Sequence, residues 1–319
     1  MNDLSLKSSS EHRYFVTRTV TIIWSLCGAS FKEENGCEKR LTSIPRNEAV
    51  PNHDSPESAT HTSAKTVFIA EVVPGRHLAE FSLDLQPANA PGMLAAASEV
   101  LAKHRVNILS GFHDPPHWSF FADLTESDCD SDQVQADLSS VQGVTRVLKA
   151  DSPNGVLVDS LHFPLMWGKN RALLFRAQTV SSMLNRVIEM FGKDSPVAKV
   201  MLHQLGEAAG KAMYTATKAE VGDSVRNELV NLINIYSAAG WGVFRVSEVN
   251  VEACTATVVA LDNFECTQYQ GTGSGPFSQF VRGHLAGLFS GIFGCRVNAV
   301  ETACLAHGES YCEFSIGPV

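Results

Sequence analysis

Residues 296–316 read RVNAVETACLAHGESYCEFSI. Two largely apolar arms flank the polar stretch His307-Gly308-Glu309, which predicts strands over Arg296–Cys304 and Ser310–Ile316 joined by a turn. The arms carry one carboxylate and two thiols, Glu301, Cys304 and Cys312. Just upstream, Phe277, Phe280, Val281, His284, Leu288 and Ile292 recur at helical spacing, so Pro276–Phe293 is predicted as a helix. Trp241–Val249 and Cys254–Leu261 read as two antiparallel strands before it. Three helices precede those, the first with Val180, Met183, Leu184, Val187, Ile188 and Phe191 on one face and Gly192 at its end. The second runs over Pro196–Lys218, carrying Gly206 and Gly210, and the third over Val225–Ala238. Ala172–Phe175 reads as a short strand before them. Residues 160–319 are therefore expected to place helices on an antiparallel sheet.

The preceding block has its own rhythm. In Leu78–Leu85, Ala79, Phe81, Leu83 and Leu85 fall on one face, the period of a half-buried strand. Pro91-Gly92 then opens a helix, with proline tolerated in its first turn. Strands over Val106–Phe112 and Trp118–Leu124 follow, then a helix from Asp130 to Val141 and a strand over Val144–Lys149. The order is βαββαβ, a ferredoxin-like α+β sandwich over 66–151. Residues 1–65 differ: Ser43–Lys65 is polar with no period and reads as a disordered linker. Within this extension Val20–Phe31 is apolar and follows Arg13 and Arg18, as in a signal-peptide core, but no small-x-small cleavage site follows.

Composition narrows the function. Twenty-five Lys+Arg against 34 Asp+Glu give a net charge of −9, which argues against general nucleic-acid binding. No apolar run reaches the roughly 20 residues of a membrane helix, and the expectation is a cytoplasmic protein. Eight cysteines in 319 residues are too few for a disulfide scaffold, so their spacing carries the information. Glu301-x-x-Cys304-x7-Cys312 offers zinc three ligand types on one hairpin. Two cysteines on adjacent strands are also ordinary core residues. No phosphate loop, nucleotide-binding glycine motif or nucleophile elbow is present.

Two resemblances add to this reading. The βαββαβ block, with Asn89-Ala90-Pro91-Gly92-Met93-Leu94 after its first strand, resembles the regulatory ACT domain, whose turn here would comprise Asn89, Pro91 and Gly92. Residues 160–319 resemble the 4-vinyl reductase domain, a hydrocarbon-binding module. The carrying residues are Arg171–Arg176, Gly206 and Gly210, Asp262-Asn-Phe-Glu265, Gly283-x3-Gly287-x3-Gly291 and Glu301-x2-Cys304-x3-Gly308-x3-Cys312-Glu-Phe314. His162-Phe-Pro-Leu165 fits members that carry an ACT-like domain in front.

The resemblance implies that Glu301, Cys304 and Cys312 ligate zinc. The family's fourth ligand is a cysteine where this chain has Ser278, which leaves Cys266 as the candidate fourth ligand and Cys295 as a weaker one. It also implies a mainly apolar pocket between helices and sheet. Phe175, Met183, Met201 and Tyr214 are candidate lining residues, as are Tyr236, Trp241, Phe244, Phe280 and His284. Stripes of this kind are also ordinary core. The aliphatic Val258–Leu261 argues against phenol itself as ligand. The expectation is a non-enzymatic regulatory protein that binds a small apolar molecule, pairs as a homodimer and acts on an effector protein, with no direct contact to nucleic acid or membrane. One alternative is an enzyme or accessory factor of vinyl-group or tetrapyrrole reduction. Another is a scaffold similar to vesicle-tethering subunits.

Overall fold

In chain order the first elements are β1 (Ala70–Val72), β2 (Leu78–Leu85), α1 (Met93–Lys103), β3 (Asn107–Asp114), β4 (His117–Asp123), α2 (Ser131–Ser139), β5 (Val144–Ser152) and β6 (Val156–Val158). The computed structural model describes residues 64–87, 91–152, 154–192, 194–218, 224–271 and 277–319. The readings of residues 1–63, and of Asn89, lie outside the described residues.

From β2 to β5 the order is βαββαβ, in one antiparallel sheet ordered β3-β4-β2-β5. Ala79, Phe81, Leu83 and Leu85 are buried on one face against Ala97 and Leu101 of α1 and Val134 and Leu138 of α2. The period-two alternation decides that face. At the start of α2, the Asp130 carboxylate accepts the Gln133 N–H at 2.9 Å and satisfies one of the helix's unpaired donors. The entry to α1 differs from the expectation. Pro91 is not in the first turn, and Gly92 stands at the N-cap with φ 85°, a left-handed backbone that favours glycine.

The other face of this sheet is also covered. β1 and β6 pair as a two-stranded ribbon, and Leu78, Phe121 and Leu157 form a small second core with Phe68. Phe68 stacks on Phe121 with ring centroids 3.9 Å apart. β2 is therefore buried on both faces, which its simple alternation does not announce.

The later elements are β7 (Met166–Trp167), β8 (Asn170–Arg171), α3 (Ala177–Phe191), α4 (Pro196–Thr217), α5 (Val225–Ala238), β9 (Val243–Asn250), β10 (Thr255–Leu261), α6 (Gln279–Phe293), β11 (Val297–Ala303) and β12 (Cys312–Pro318). Short 3-10 turns occur at Thr267–Tyr269 and Leu305–His307. β9 to β12 form an antiparallel sheet ordered β11-β12-β10-β9. The strand expected over Ala172–Phe175 is absent. β7 and β8 make a tight hairpin just before it, and Leu173, Leu174 and Phe175 are exposed without a strand partner among the described residues.

The helix α6 is the centre of this part. Val281, Leu285, Leu288, Phe289 and Ile292 are buried in one cluster with Tyr236 of α5 and Phe244, Val258, Ala299 and Phe314 of the sheet. Its other side meets α4 backbone to backbone. A Cβ on Gly206 would collide with the Phe280 carbonyl oxygen, and one on Gly210 with that of His284. In return, Gly283 lies against His203 and Gly287 against Glu207. Only the lack of a side chain at these four positions lets the two helices approach so closely. No described helix is long and apolar enough to cross a membrane.

Candidate metal centre and aromatic cluster

Four elements converge at the N-terminal end of α6. β11 brings Glu301, whose alternation turns it inward with Val297 and Ala299. Cys304 caps the 3-10 turn after β11, and Cys312 opens β12. Cys266 follows β10 and caps the turn at Thr267–Tyr269. One ligand atom from each of Cys266, Glu301, Cys304 and Cys312 lies within 4.8 Å of all the others, and all four residues are buried.

The distances suit a metal. Cys266 Sγ is 3.6 Å from Cys304 Sγ. Thiolates bound to one tetrahedral zinc at about 2.3 Å stand about 3.8 Å apart. The donors are soft sulfur with one carboxylate, the set that favours zinc among common divalent cations.

The surroundings hold the donors in place. Ser278 donates its backbone N–H to Glu301 Oε2 at 3.1 Å and its hydroxyl to Oε1 at 2.7 Å. The same hydroxyl is 2.9 Å from Cys266 Sγ, so Ser278 stands beside the donor set rather than in it. Asn263 Nδ2 donates to the Ser278 hydroxyl at 2.9 Å and lies 3.5 Å from Cys312 Sγ. The Leu305 N–H points to Cys312 Sγ at 3.4 Å. Donors of this kind stabilise thiolate charge and orient metal ligands.

Without a cation, this cluster resists ionisation. Hydrogen bonds from Cys266 and Cys312 pull the Cys304 thiol far below its usual range, to about 2. The same contact with Cys304 pushes Cys266 far up, and burial raises Glu301 to about 7. One thiolate held by two thiols is the state such a pocket tolerates. A divalent cation would neutralise the further charges.

Cys295 is not near these groups; it is joined to Cys254 as a disulfide between the β9–β10 turn and the end of α6. His307 is exposed on the turn and is not one of the four converging residues.

A second constellation lies further along α6. The Tyr236 hydroxyl and His284 Nδ1 are 2.6 Å apart, both buried. Trp241 packs edge-on to both, with ring centroids 5.3 Å from Tyr236 and 4.8 Å from His284. Phe244 lies 4.6 Å from Tyr236, and Phe280 lies 5.9 Å from Trp241. Burial holds the His284 imidazole neutral, with its pKa lowered to about 4. Five of the nine expected lining residues thus meet around one polar pair.

The others are elsewhere. Tyr214 rests against Gly291 of α6. Phe175, Met183 and Met201 are 53%, 53% and 42% exposed, so they line no enclosed pocket in this conformation. Their helical stripe faces outward because Ser181 and Leu184 take the inward side of α3, and Ala198, Leu202 and the glycines that of α4.

Two residues outside the expected site serve it. Asn263 is one; Glu265 is the other, accepting the backbone N–H groups of Phe280 and Val281 at 3.0 and 2.8 Å and so anchoring the first turn of α6. Asp262-Asn-Phe-Glu265 held both in the sequence, but without a partner in view.

Residues 257–318 match the 4-vinyl reductase domain family. That match spans β10, α6, the Cys/Glu hairpin and β12. No curated protein matches this chain. Among solved structures, the phenol-responsive sensory domain of the transcription activator PoxR, bound to phenol, is 17% identical, covers 49% of this chain and 84% of its own, and superposes with a TM-score of 0.44. A vinyl-4-reductase family protein from Methanocaldococcus jannaschii is 17% identical over 46% of this chain and 84% of its own, with a TM-score of 0.33. A trafficking protein particle complex subunit 3 from Naegleria fowleri, covalently bound to palmitic acid, is 12% identical over 44% and 93%, with a TM-score of 0.35.

Proposed function

We propose that the chain is a non-enzymatic small-molecule sensor whose 4-vinyl-reductase-type part binds a largely apolar ligand and is braced by one structural zinc. The observation that carries the ligand reading is the Tyr236–His284 hydrogen bond at 2.6 Å inside a shell of aromatic rings. Apolar walls with one polar anchor are what a small apolar molecule with a single hydroxyl or carbonyl group needs. A neutral His284 offers that anchor without charge.

Zinc would be held by Cys266, Glu301, Cys304 and Cys312. It would supply cross-linking rather than chemistry, because four protein donors close a tetrahedral site. The cation would tie the β10 exit, the β11–β12 hairpin and, through Ser278, the start of α6 into one unit. The βαββαβ part is read as an ACT-like regulatory domain over 66–151, ahead of a ligand-binding domain over 160–319. In this reading the chain is cytoplasmic, pairs as a homodimer and passes its signal to an effector protein.

The test is tryptophan fluorescence and thermal unfolding of the purified full chain with indole, cresols and medium-chain fatty acids as probes. Quenching that saturates, raises Tm and disappears in Trp241→Phe supports the sensor. No response to any probe, or a visible absorbance of bound flavin, haem or tetrapyrrole, would overturn it, the latter in favour of a reductase-type role.

A further inference from the structure

The covered face of the first sheet carries charge that the sensor reading does not use. Glu80 and Ser82 of β2 point to that face, and Ser119 of β4 sits directly across from Ser82. The chain leaving β6 lays Asp159 and His162 over them. Glu80 is completely buried. Its Oε2 accepts the Ser160 N–H at 3.1 Å. Its Oε1 has no hydrogen-bond partner. His162 Nδ1 is 3.2 Å from that oxygen but closer, at 2.9 Å, to Asp159 Oδ1, which takes its single hydrogen. Two carboxylates therefore face one imidazole nitrogen, and the three donor atoms lie within 4.8 Å of one another.

We propose that Glu80, Asp159 and His162 form a second divalent-cation site, distinct from the thiolate cluster and suited to a harder ion. Two carboxylate oxygens and an imidazole, with no sulfur, are donors for manganese, iron or zinc. The rest of the imidazole is arranged for this. Nε2 lies 2.9 Å from the Ser119 hydroxyl and 3.1 Å from that of Ser82, and Ser119 donates on to Ser82 at 2.9 Å. A ligating histidine commonly donates its second ring N–H to such a partner, which fixes the tautomer that leaves Nδ1 free for the metal. The His162 and Asp159 side chains are 25% and 16% exposed, so the site opens to solvent on one side for entry and for water ligands.

Electrostatics supports the geometry. Burial, and then Asp159, push the Glu80 carboxyl up to about 8. The metal-free site must hold a proton at neutral pH, whereas a cation neutralises both carboxylates at once. Asp159 and His162 belong to the segment between β6 and β7, so an ion here would clasp that segment onto β2.

The experiment titrates chelator-stripped full-length protein with Mn²⁺ and follows the loss of free Mn²⁺ signal by electron paramagnetic resonance. Mn²⁺ binds thiolates poorly, which keeps the cysteine cluster silent. About one Mn²⁺ per chain is expected, unchanged in Cys304→Ser. Glu80→Gln and His162→Gln should each weaken it at least roughly tenfold. Glu80→Gln keeps the acceptor for Ser160, and His162→Gln changes a part-exposed position, so at least one folded variant is available. Absence of binding in folded wild-type protein, or binding that persists unchanged in both variants, overturns the site.

Discussion

Cys266 Sγ and Cys304 Sγ lie 3.6 Å apart across 38 residues of sequence. No local turn makes that contact. It exists because β10 and β12 pair, with Ala260 opposite Cys312, which sets the exit of β10 beside the hairpin. The cysteine before the 3-10 turn is thereby delivered to the carboxylate and thiols of the chain's end.

If this contact is a metal bond, removing either sulfur removes the metal. Protein purified without a tag or chelator should contain about one zinc per chain. Cys304→Ala and Cys266→Ala should lose it and unfold at markedly lower temperature, since metal binding to a folded site is folding free energy. Elemental analysis with thermal unfolding checks this. Full zinc retention in Cys266→Ala would exclude Cys266 as the fourth donor.

Ser278→Cys offers the opposite change. The Ser278 hydroxyl is 2.9 Å from Cys266 Sγ and 2.7 Å from Glu301 Oε1, so a thiol there competes with the carboxylate. Cobalt-substituted protein should show stronger thiolate-to-metal absorption in this variant, at an unchanged metal count. An unchanged spectrum would mean that position 278 cannot reach the ion.

The glycine contact makes a signed prediction. In a helix exposed at that point, Gly→Ala stabilises by about 1 kcal/mol. At Gly210 the new methyl meets the His284 carbonyl, so Gly210→Ala should instead destabilise by about 3 kcal/mol or more. Gly317, with open space around its Cβ position, is the control and should shift stability by no more than about 0.5 kcal/mol. Urea unfolding of the three proteins decides it.

His284 predicts an acid limb. Its folded pKa is lowered from 6.5 to about 4, so below about pH 6.5 the unfolded chain takes up a proton that the folded chain refuses. Stability is full above that pH, falls as the pH drops, and levels once the folded imidazole also protonates near 4. The loss is on the order of 1–3 kcal/mol. In His284→Gln the difference between about pH 7 and about pH 5 should shrink by that amount, measured by urea unfolding.

How much of this was legible depends on the range of each interaction. The βαββαβ order and the helices α3 to α6 follow from local period and punctuation, as at Asp130, Gly192 and Gly294. The hairpin donors Glu301, Cys304 and Cys312 are close in sequence, and Cys266 was reachable as the free thiol at a strand end. Asn263 and Glu265 were not assigned roles, because their partners are atoms of α6 and the hairpin that only the pairing of β10 with β12 brings near. Phe175, Met183 and Met201 share the helical or apolar character of core residues, and periodicity alone does not say which face of a helix finds a neighbour. The ribbon of β1 and β6 went unseen for a related reason: three-residue strands carry no period, and their pairing joins residues as far apart as Ala70 and Val158.

The backbone contact between α4 and α6 also has a mechanical side. Side chains between two helices act as a cushion, since rotamer changes absorb small shifts. Gly206, Gly210, Gly283 and Gly287 leave no such cushion. Phe280 and His284, which belong to the aromatic cluster, sit at the contact on one helix. On the other, Val197, Val200, Met201 and Leu205 are exposed apolar residues at helical spacing. A displacement of α6 is handed on to α4 as a rigid lever is moved, and it emerges at the surface as a change in the position of that apolar row.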